Sequence, residues 1–368
     1  MMRKAVRIAR DIVIAVTVFL LASTVIRQAL WRMGLEDLYV NEVMTSRAAE
    51  KARDVVFIGT SHLGVGIHPN TFDAAATAHG LAPRSFDLAL GGLSVAETYS
   101  VAKRLFELKP CCIKYVVFEA AFMQTDIGWY IPTNIRSVLY LDFRNAVAFL
   151  SMIFSYEQLP NPAPGRWKYV ANVVSAMATH YGNLGHAALL LGWGTTPLRN
   201  HRQVDFGNGA VHLPPPTEAV AVAIARDMRQ YSVDHPKYRR GEMAGVRRGT
   251  YVTARMLDPV VATVRLIESK GAGVILVQPP LVGHWPYAVD FVDALRRRCG
   301  GERLIDFSDP EEFREFYHTT SYWHDGSHLS EEGAVIWSKM LAARFVKIVE
   351  TDVARGRPTS ACPEPGRE

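Results

Sequence analysis

Five short apolar runs are spread along the chain, and each is bounded by glycine, proline or charged residues. They are DVVFIG, RSFDLAL, IKYVVFEA, GVILVQPP and RLIDFSD, beginning at residues 54, 84, 113, 273 and 303. Segments with the helical spacing of apolar residues separate them. Short continuous apolar strands that alternate with helices are typical of a parallel sheet covered on both faces. The pattern therefore predicts a three-layer α/β/α protein with a five-stranded parallel sheet.

A long region interrupts this alternation between the third and fourth runs. Residues 129 to 158 are strongly apolar, and residues 160 to 250 contain PNPAPGRW, LPPPTE and the basic run KYRRGEMAGVRRG. We interpret residues 129 to 250 as a helical insertion that forms a cap or lid. The predicted α/β domain spans residues 50 to 353, and the proline-rich tail, 354 to 368, is expected to be disordered.

The first 33 residues combine a basic start with an apolar run. Arg3, Lys4, Arg7 and Arg10 precede an uncharged stretch from 12 to 26, which is shorter than the roughly 20 residues needed to cross a bilayer core. Arginine side chains at its ends can reach the interface, so we favour a single-pass anchor; a cleaved signal peptide and a soluble amphipathic helix stay open. The basic residues predict a cytoplasmic N terminus, an inner-membrane anchor and a domain in the periplasm or otherwise outside the cytoplasm.

Charge and cysteine spacing exclude several classes of partner. The 41 Lys and Arg residues exceed the 36 Asp and Glu residues by only five. They form no basic stripe interleaved with aromatic residues, so no nucleic-acid partner is predicted. Neither the four cysteines nor the histidines show the spacing of metal ligands, and we expect no metal and no cofactor. The cysteines allow three full pairings, one of which contains a Cys299–Cys362 bridge.

Ser61 and two later residues are candidates for nucleophilic chemistry. Ser61 follows the first strand in FIGTSH, and Asp325 and His328 stand in WHDGSHLS, between the fifth strand and the last helix. Ligands bind at the carboxyl ends of parallel strands, so we expect these three residues to meet at one edge of the sheet. Serine needs a base to remove its proton, and the base needs a carboxylate to orient it. The neighbouring His62 and His324 are interpreted as groups of the site wall rather than as second bases.

These motifs resemble the sequence blocks of the SGNH, or GDSL-like, hydrolase superfamily. FIGTSH is similar to its first block, with Ser61 as the nucleophile, and DGSHLS is similar to its last block, with Asp325 and His328. FDLALGGLS is similar to its second block, which implies that Gly92, or otherwise Gly91, supplies an oxyanion-hole amide. The resemblance implies the flavodoxin-like fold of that superfamily and an activity as a serine esterase or O-acyltransferase.

The likeness covers residues 54 to about 125 and 272 to 348. An anchor followed by such a domain is similar to exported SGNH proteins that act beside membrane-bound O-acyltransferases. This implies a substrate that is an acyl ester, above all an acetyl ester, of an extracytoplasmic polysaccharide or cell-envelope polymer. The implied partners are the lipid bilayer, that glycan and a membrane-bound O-acyltransferase. Two alternatives stay open: a lipid or small-ester hydrolase with an acyl-chain pocket in residues 129 to 158, and a catalytically silent glycan-binding or assembly subunit.

The chain departs from the third block of the superfamily, a Gly-x-Asn-Asp sequence whose Asn completes the oxyanion hole. FEAAFMQT stands there instead, and Glu119 occupies the place of the neutral donor. A carboxylate at that place would repel a developing oxyanion. We therefore expect either that Gln278 after the fourth strand, or a residue of the insertion, supplies the donor, or that the enzyme is slow. The departure favours the catalytically silent alternative.

Overall fold

The sheet expected from the apolar runs is present in the computed structural model of the protein. Its strands are β1 Val55–Ile58, β2 Ser85–Asp87, β3 Tyr115–Glu119, β4 Gly273–Gln278 and β5 Leu304–Asp306. All are parallel, in the order β2-β1-β3-β4-β5. This is the order of flavodoxin-like doubly wound sheets. The predicted α/β class and the five-stranded parallel sheet are confirmed.

The structure describes residues 2–32, 40–89, 91, 93, 95–120, 143–155, 166–181, 208–243, 254–282, 285–356, 358 and 360–362. The helices of these segments are α1 Met2–Arg32, α2 Val40–Glu50, α3 Ser61–Gly66, α4 Pro69–Ala78, α5 Val95–Glu107, α6 Phe143–Ser155, α7 Arg166–Tyr181, α8 Glu218–Arg240, α9 Ala254–Glu268, α10 Trp285–Cys299, α11 Arg314–His318 and α12 Glu331–Ala354. A 3-10 turn spans Thr320–Tyr322. The described parts of the insertion are therefore mainly helical.

The chain divides into two compact units. One consists of Met1–Val43, Ile127–Phe154 and Leu159–Asn200, and the other of Met44–Asp126, Ser155–Gln158 and His201–Glu368. The second unit contains the whole sheet. In the first unit, α1 includes a 20-residue apolar stretch, Val6–Val25. Among the described helices, α1 alone is long and apolar enough to span a membrane.

The strand order brings the end of β1 to a defined place on the sheet. β1 pairs with β2 on one side and with β3 on the other, and Ile58 stands opposite Phe118. Gly59 therefore follows β1 opposite Glu119, and Ser61 comes two residues later. Open α/β sheets bind ligands at the carboxyl ends of the strands, where the strand order reverses. Ser61 follows β1 at this reversal.

The last helix supports the loop that precedes it. Ser330 is the N-cap of α12, and its hydroxyl accepts a hydrogen bond from the amide of Gly333, as the sequence suggests. Trp337 and Leu341 are fully buried, and the ring of Phe345 packs edge-on against Phe72 of α4, with centroids 5.2 Å apart. Burial of each of these side chains contributes roughly 1.5–3 kcal/mol. The loop with Asp325 and His328 therefore ends on a firmly packed helix.

The four cysteines form two disulfides, Cys111–Cys112 and Cys299–Cys362. Cys299 ends α10, whereas Cys362 lies in the tail for which the sequence predicts disorder. Ala361 and Cys362 are both buried. The bridge therefore attaches this part of the tail to the α/β unit.

Candidate active site

Ser61 occupies the first position of α3, directly after the turn that ends β1. Thr60 is the N-cap of this helix and has an extended backbone, and its hydroxyl accepts a hydrogen bond from the amide of His62. The turn requires glycine at position 59, because a Cβ atom there would overlap the side chain of Glu119. The amide of Ser61 donates to no group in the described part of the chain, as is usual in the first turn of a helix.

The segment WHDGSHLS folds back on itself before α12. Trp323 and Leu329 form an antiparallel bridge across it. Inside this bridge, Oδ1 of Asp325 accepts hydrogen bonds from the amides of Ser327 and His328, each at 2.8 Å. The side chain of Asp325 therefore organises the turn that brings it close to the imidazole of His328.

The three predicted catalytic side chains meet at this edge of the sheet. Nδ1 of His328 lies 3.0 and 2.9 Å from the two carboxyl oxygens of Asp325, and Nε2 lies 2.8 Å from Oγ of Ser61. The carboxylate accepts, so Nδ1 carries the proton and the lone pair of Nε2 faces the serine hydroxyl. Ser61 and His328 are 267 residues apart in the sequence, yet the fold places them in direct hydrogen-bond contact.

Asp325 is held in its charged form by its donors. Partial burial would raise the pKa of its carboxyl, but the hydrogen bonds from the His328 ring and from the amides of Ser327 and His328 outweigh this effect and lower the pKa below its usual range. Asp325 therefore remains a carboxylate over the pH range in which an imidazole titrates.

The other predicted site residues lie in different surroundings. Gly91 lies beside the nucleophile, because a Cβ atom on it would be 3.8 Å from Cβ of Ser61. Gly92 lies outside the described residues. Gln278 is fully buried at the end of β4, and its Nε2 donates to the carbonyl of Pro279 at 3.0 Å. Among the described residues, no hydrogen bond joins Gln278 to Ser61.

Glu119 has a role that differs from the sequence-based expectation. Its side chain is fully buried at the end of β3, and it accepts hydrogen bonds from the amide of Thr60 at 2.5 Å and from the hydroxyl of Thr60 at 2.8 and 3.0 Å. The nearer ring nitrogen of His62, Nδ1, is 3.3 Å from Oε1 of Glu119. The carboxylate is therefore bound to the turn that carries the nucleophile, through the residues on either side of Ser61.

The two histidines beside the motifs contact different parts of the site. The ring of His62 stacks on that of His328, with centroids 5.4 Å apart and planes inclined by 17°. Nδ1 of His324 donates to the carbonyl of Pro214 at 2.9 Å. His62 therefore contacts His328 directly, whereas His324 connects its loop to Pro214 within the insertion.

The segment of the insertion that precedes α8, Asn208–Pro216, runs from the end of β2 to the start of α12, and we call it the strap. The carbonyl of Asn208 accepts from the amide of Asp87 at 2.8 Å, and the carbonyl of Leu213 accepts from the amide of Glu331 at 2.9 Å. Together with the His324 contact, these bonds connect β2, the loop and α12. The strap is therefore a structural part of the site's surroundings.

No family model and no curated protein matches the chain. In the described residues, no group of three or more His, Cys, Asp or Glu side chains has the arrangement of a metal site. The geometry of Ser61, His328 and Asp325 therefore indicates what the site can do chemically. A hydroxyl bonded to an imidazole, which is oriented by a carboxylate, can attack an ester carbonyl.

The sequence predicts the meeting of Ser61, Asp325 and His328 and a place for His62 in the site wall, but it does not predict the contacts of Thr60 or of the strap. The sequence contains one indication of the contact between Glu119 and the turn after β1. Gly59 follows β1, and Glu119 ends the apolar run of the neighbouring strand, although buried strands rarely contain an acidic residue. That pairing becomes visible only once the register of β1 and β3 is known. The strap has no periodic pattern from which its contacts follow.

Proposed function

We propose that the chain is a membrane-anchored, exported serine esterase or O-acyltransferase of the SGNH type. The observation that carries the proposal is the hydrogen-bonded series from Asp325 through His328 to Ser61, at 2.9 and 2.8 Å. The position of the series, at the reversal of a doubly wound parallel sheet, also supports it.

The reaction proceeds in two half-reactions. Oγ of Ser61 attacks the carbonyl carbon of the ester while Nε2 of His328 takes the hydroxyl proton. The tetrahedral intermediate collapses, the leaving alkoxide receives that proton, and an acyl-serine remains. Water or a sugar hydroxyl then attacks the acyl group, His328 takes its proton, and Oγ of Ser61 leaves and is reprotonated. The amides of Ser61 and Gly92 hold the oxyanion in this scheme.

The proposed substrate is an acyl ester, above all an acetyl ester, on an extracytoplasmic polysaccharide or cell-envelope polymer. The apolar stretch of α1 supports an inner-membrane anchor with the domain outside the cytoplasm. The Cys299–Cys362 bridge supports the same location, since disulfides persist in oxidising compartments. A membrane-bound O-acyltransferase is the proposed partner that supplies the acyl group.

Fluorophosphonate labelling of the purified full-length chain in detergent tests the activity. The expected result is one label per chain on Ser61, together with turnover of p-nitrophenyl acetate, and the loss of both in Ser61→Ala. Circular dichroism of both proteins controls for folding. A folded wild-type chain that neither labels nor hydrolyses the ester would favour the catalytically silent glycan-binding or assembly subunit.

A further inference from the structure

A second carboxylate–imidazole pair lies beside the triad, and the proposed reaction scheme assigns it no role. It consists of Glu119 and His62, which Thr60 connects; we call these three residues the Glu119 network. Both Glu119 and Thr60 are almost completely buried, and His62 is only 5% exposed. Burial of so many polar groups at a sheet edge is costly unless each is hydrogen-bonded.

The hydrogen bonds of the network determine which atoms donate a proton and which atoms accept one. The hydroxyl of Thr60 has one proton, which it donates to Glu119. Its oxygen then accepts from Nδ1 of His62, 2.9 Å away, so that Nδ1 carries the ring proton. Glu119 acts only as an acceptor in these contacts. The ring of His62 is therefore oriented by a negative charge, as the ring of His328 is oriented by Asp325.

The network reaches both reacting groups. Glu119 binds the amide and hydroxyl of Thr60, the residue before Ser61, and so fixes the turn that presents the nucleophile. At its other end the ring of His62 lies nearly parallel to His328. When His328 takes the serine proton it becomes a cation, and a polarised aromatic ring stacked on a cation stabilises it.

We propose that Glu119 and His62 are positioning residues for this acyl transfer: Glu119 holds the nucleophile turn and orients His62, and His62 holds the ring of His328 and stabilises its imidazolium form. The inference rests on the proposed function. It also gives a role to Glu119, the residue that stands where the third sequence block has a neutral donor. In the described part of the chain, the titratable groups that face His328 are Asp325 on its own loop, His62 on α3 and, through His62, Glu119 at the end of β3.

Glu119→Gln is the principal test, because it changes charge and proton direction with little change in shape. The amide oxygen still accepts from Thr60, but the NH2 group meets Nδ1 of His62 as a donor, so the His62 proton must move to the other nitrogen. We expect kcat for p-nitrophenyl acetate to fall about ten-fold, with KM changed less than two-fold. The acid limb of the kcat/KM profile should move to lower pH, because the imidazolium loses a stabilising negative charge.

His62→Phe tests the same connection from the other side. Phenylalanine keeps a flat ring against His328 but has no proton for Thr60 or Glu119. We expect a similar fall in kcat and in the fluorophosphonate labelling rate, and the Glu119→Gln/His62→Phe double variant should be scarcely slower than either single variant, since the groups act in series.

Asp54→Asn is the matched control. Asp54 stands before the opposite end of β1 and pairs with Arg84 and Lys114, at 2.9 and 3.0 Å. Its loss should lower the melting temperature while leaving kcat and the acid limb unchanged.

If Glu119→Gln and His62→Phe behave like this control, the residues are structural only and the inference is wrong. Independent, multiplying losses in the double variant would also overturn it. A wild-type chain without labelling or turnover would overturn the proposed function and the inference together.

Discussion

Two aspartates at the carboxyl edge of the sheet respond differently to burial. The pKa of Asp325 is lowered, because three hydrogen-bond donors outweigh its partial burial. Asp87 is completely buried, and burial raises its pKa well above the usual range; the amide of Ala89 opposes this, and the charge of Glu119 adds to it. Oδ2 of Asp87 has no partner among the described residues. The hydrogen bonds of Asp325 therefore favour its charged form, whereas burial favours the protonated form of Asp87.

The triad predicts a characteristic pattern of losses. Ser61→Ala and His328→Ala should each remove nearly all turnover of p-nitrophenyl acetate, and the double variant should be scarcely worse, because neither group works without the other. Asp325→Asn should cost roughly 10²–10⁴-fold in kcat, less than Ser61→Ala, because the amide orients the wrong tautomer of His328 without removing it. Additive losses in the double variant would contradict the assignment of the two residues to one catalytic unit.

The raised pKa of Asp87 predicts a pH-dependent stability. The unfolded chain loses the Asp87 proton near pH 4, while the folded protein holds it to a higher pH. The free energy of unfolding should therefore fall as pH rises above 4, by at most about 1.4 kcal/mol per pH unit, until pH reaches the folded pKa. Asp87→Asn carries no such proton, so its stability relative to the wild type should increase as pH rises above 4 in urea unfolding. Parallel pH dependences of the two proteins would contradict this prediction.

At the residue scale, the sequence indicated the reacting groups but not their supports. Ser61, Asp325 and His328 stand in short motifs whose positions relative to the strands predict their meeting. Glu119 and Thr60 are 59 residues apart, and their contact depends on the register of β1 and β3. The position of Glu119 in the third sequence block, taken alone, predicts instead that this carboxylate faces the oxyanion.

At the scale of elements, the strap depends on one backbone position. Gly209 has a φ of +88°, and a Cβ atom there would overlap the carbonyl oxygen of Asp87. The close approach of the strap to β2 therefore requires glycine. The same segment accepts the hydrogen bond from His324, so a displaced strap would also disturb the loop of the base.

Gly209→Ala tests this approach, with Gly241→Ala as its matched control. Gly241 is the C-cap of α8 and has a φ of +73°, and a Cβ atom added to it would meet no other atom within 4 Å. Alanine at this position should therefore lower the free energy of unfolding only by the cost of the left-handed backbone, about 1 kcal/mol. Gly209→Ala adds the overlap with Asp87, and we expect a loss in the free energy of unfolding of roughly 2–4 kcal/mol together with slower labelling of Ser61. Equal losses in urea unfolding of the two variants would show that the close approach has no energetic importance.

The elements themselves differ in how far the sequence predicts them. The strands are continuous apolar runs, and α12 has both an N-cap at Ser330 and a buried apolar face. Local sequence patterns are therefore enough to predict these elements. The apolar run in the N-terminal segment is only 15 residues long, but α1 extends from Met2 to Arg32, because the basic residues that flank the run are also good helix formers. The strap, NGAVHLPPP, has neither a helical nor a strand pattern. Hydrogen bonds to elements that are distant in the sequence determine its position.

At the scale of the whole molecule, the C-terminal end is held by two buried links. Arg303 and Asp352 form an ion pair at 2.8 Å with both side chains 3% exposed, and Cys362 is bonded to Cys299. The amide of Ala361 also donates to Glu268 at 2.7 Å. Three cysteine pairings stay open in the sequence because spacing does not report spatial distance. In the structure, the segment after α12 reaches Cys299 at the end of α10 and Glu268 at the end of α9.

The disulfide pattern predicts which bridge stabilises the domain. Cys299 and Cys362 are separated by 63 residues, so the bridge restricts a long loop of the unfolded chain, and Cys362→Ser should lower the free energy of unfolding by about 2–4 kcal/mol. Cys111 and Cys112 are adjacent, so their bridge hardly restricts the unfolded chain. Replacing both with serine therefore provides the matched control.

Urea unfolding with and without reductant measures the difference. Reductant should lower the stability of the wild type to that of Cys362→Ser, and should leave Cys362→Ser itself nearly unchanged. Equal sensitivity of the two proteins to reductant would contradict a structural role of the Cys299–Cys362 bridge and would remove one support for an exported domain.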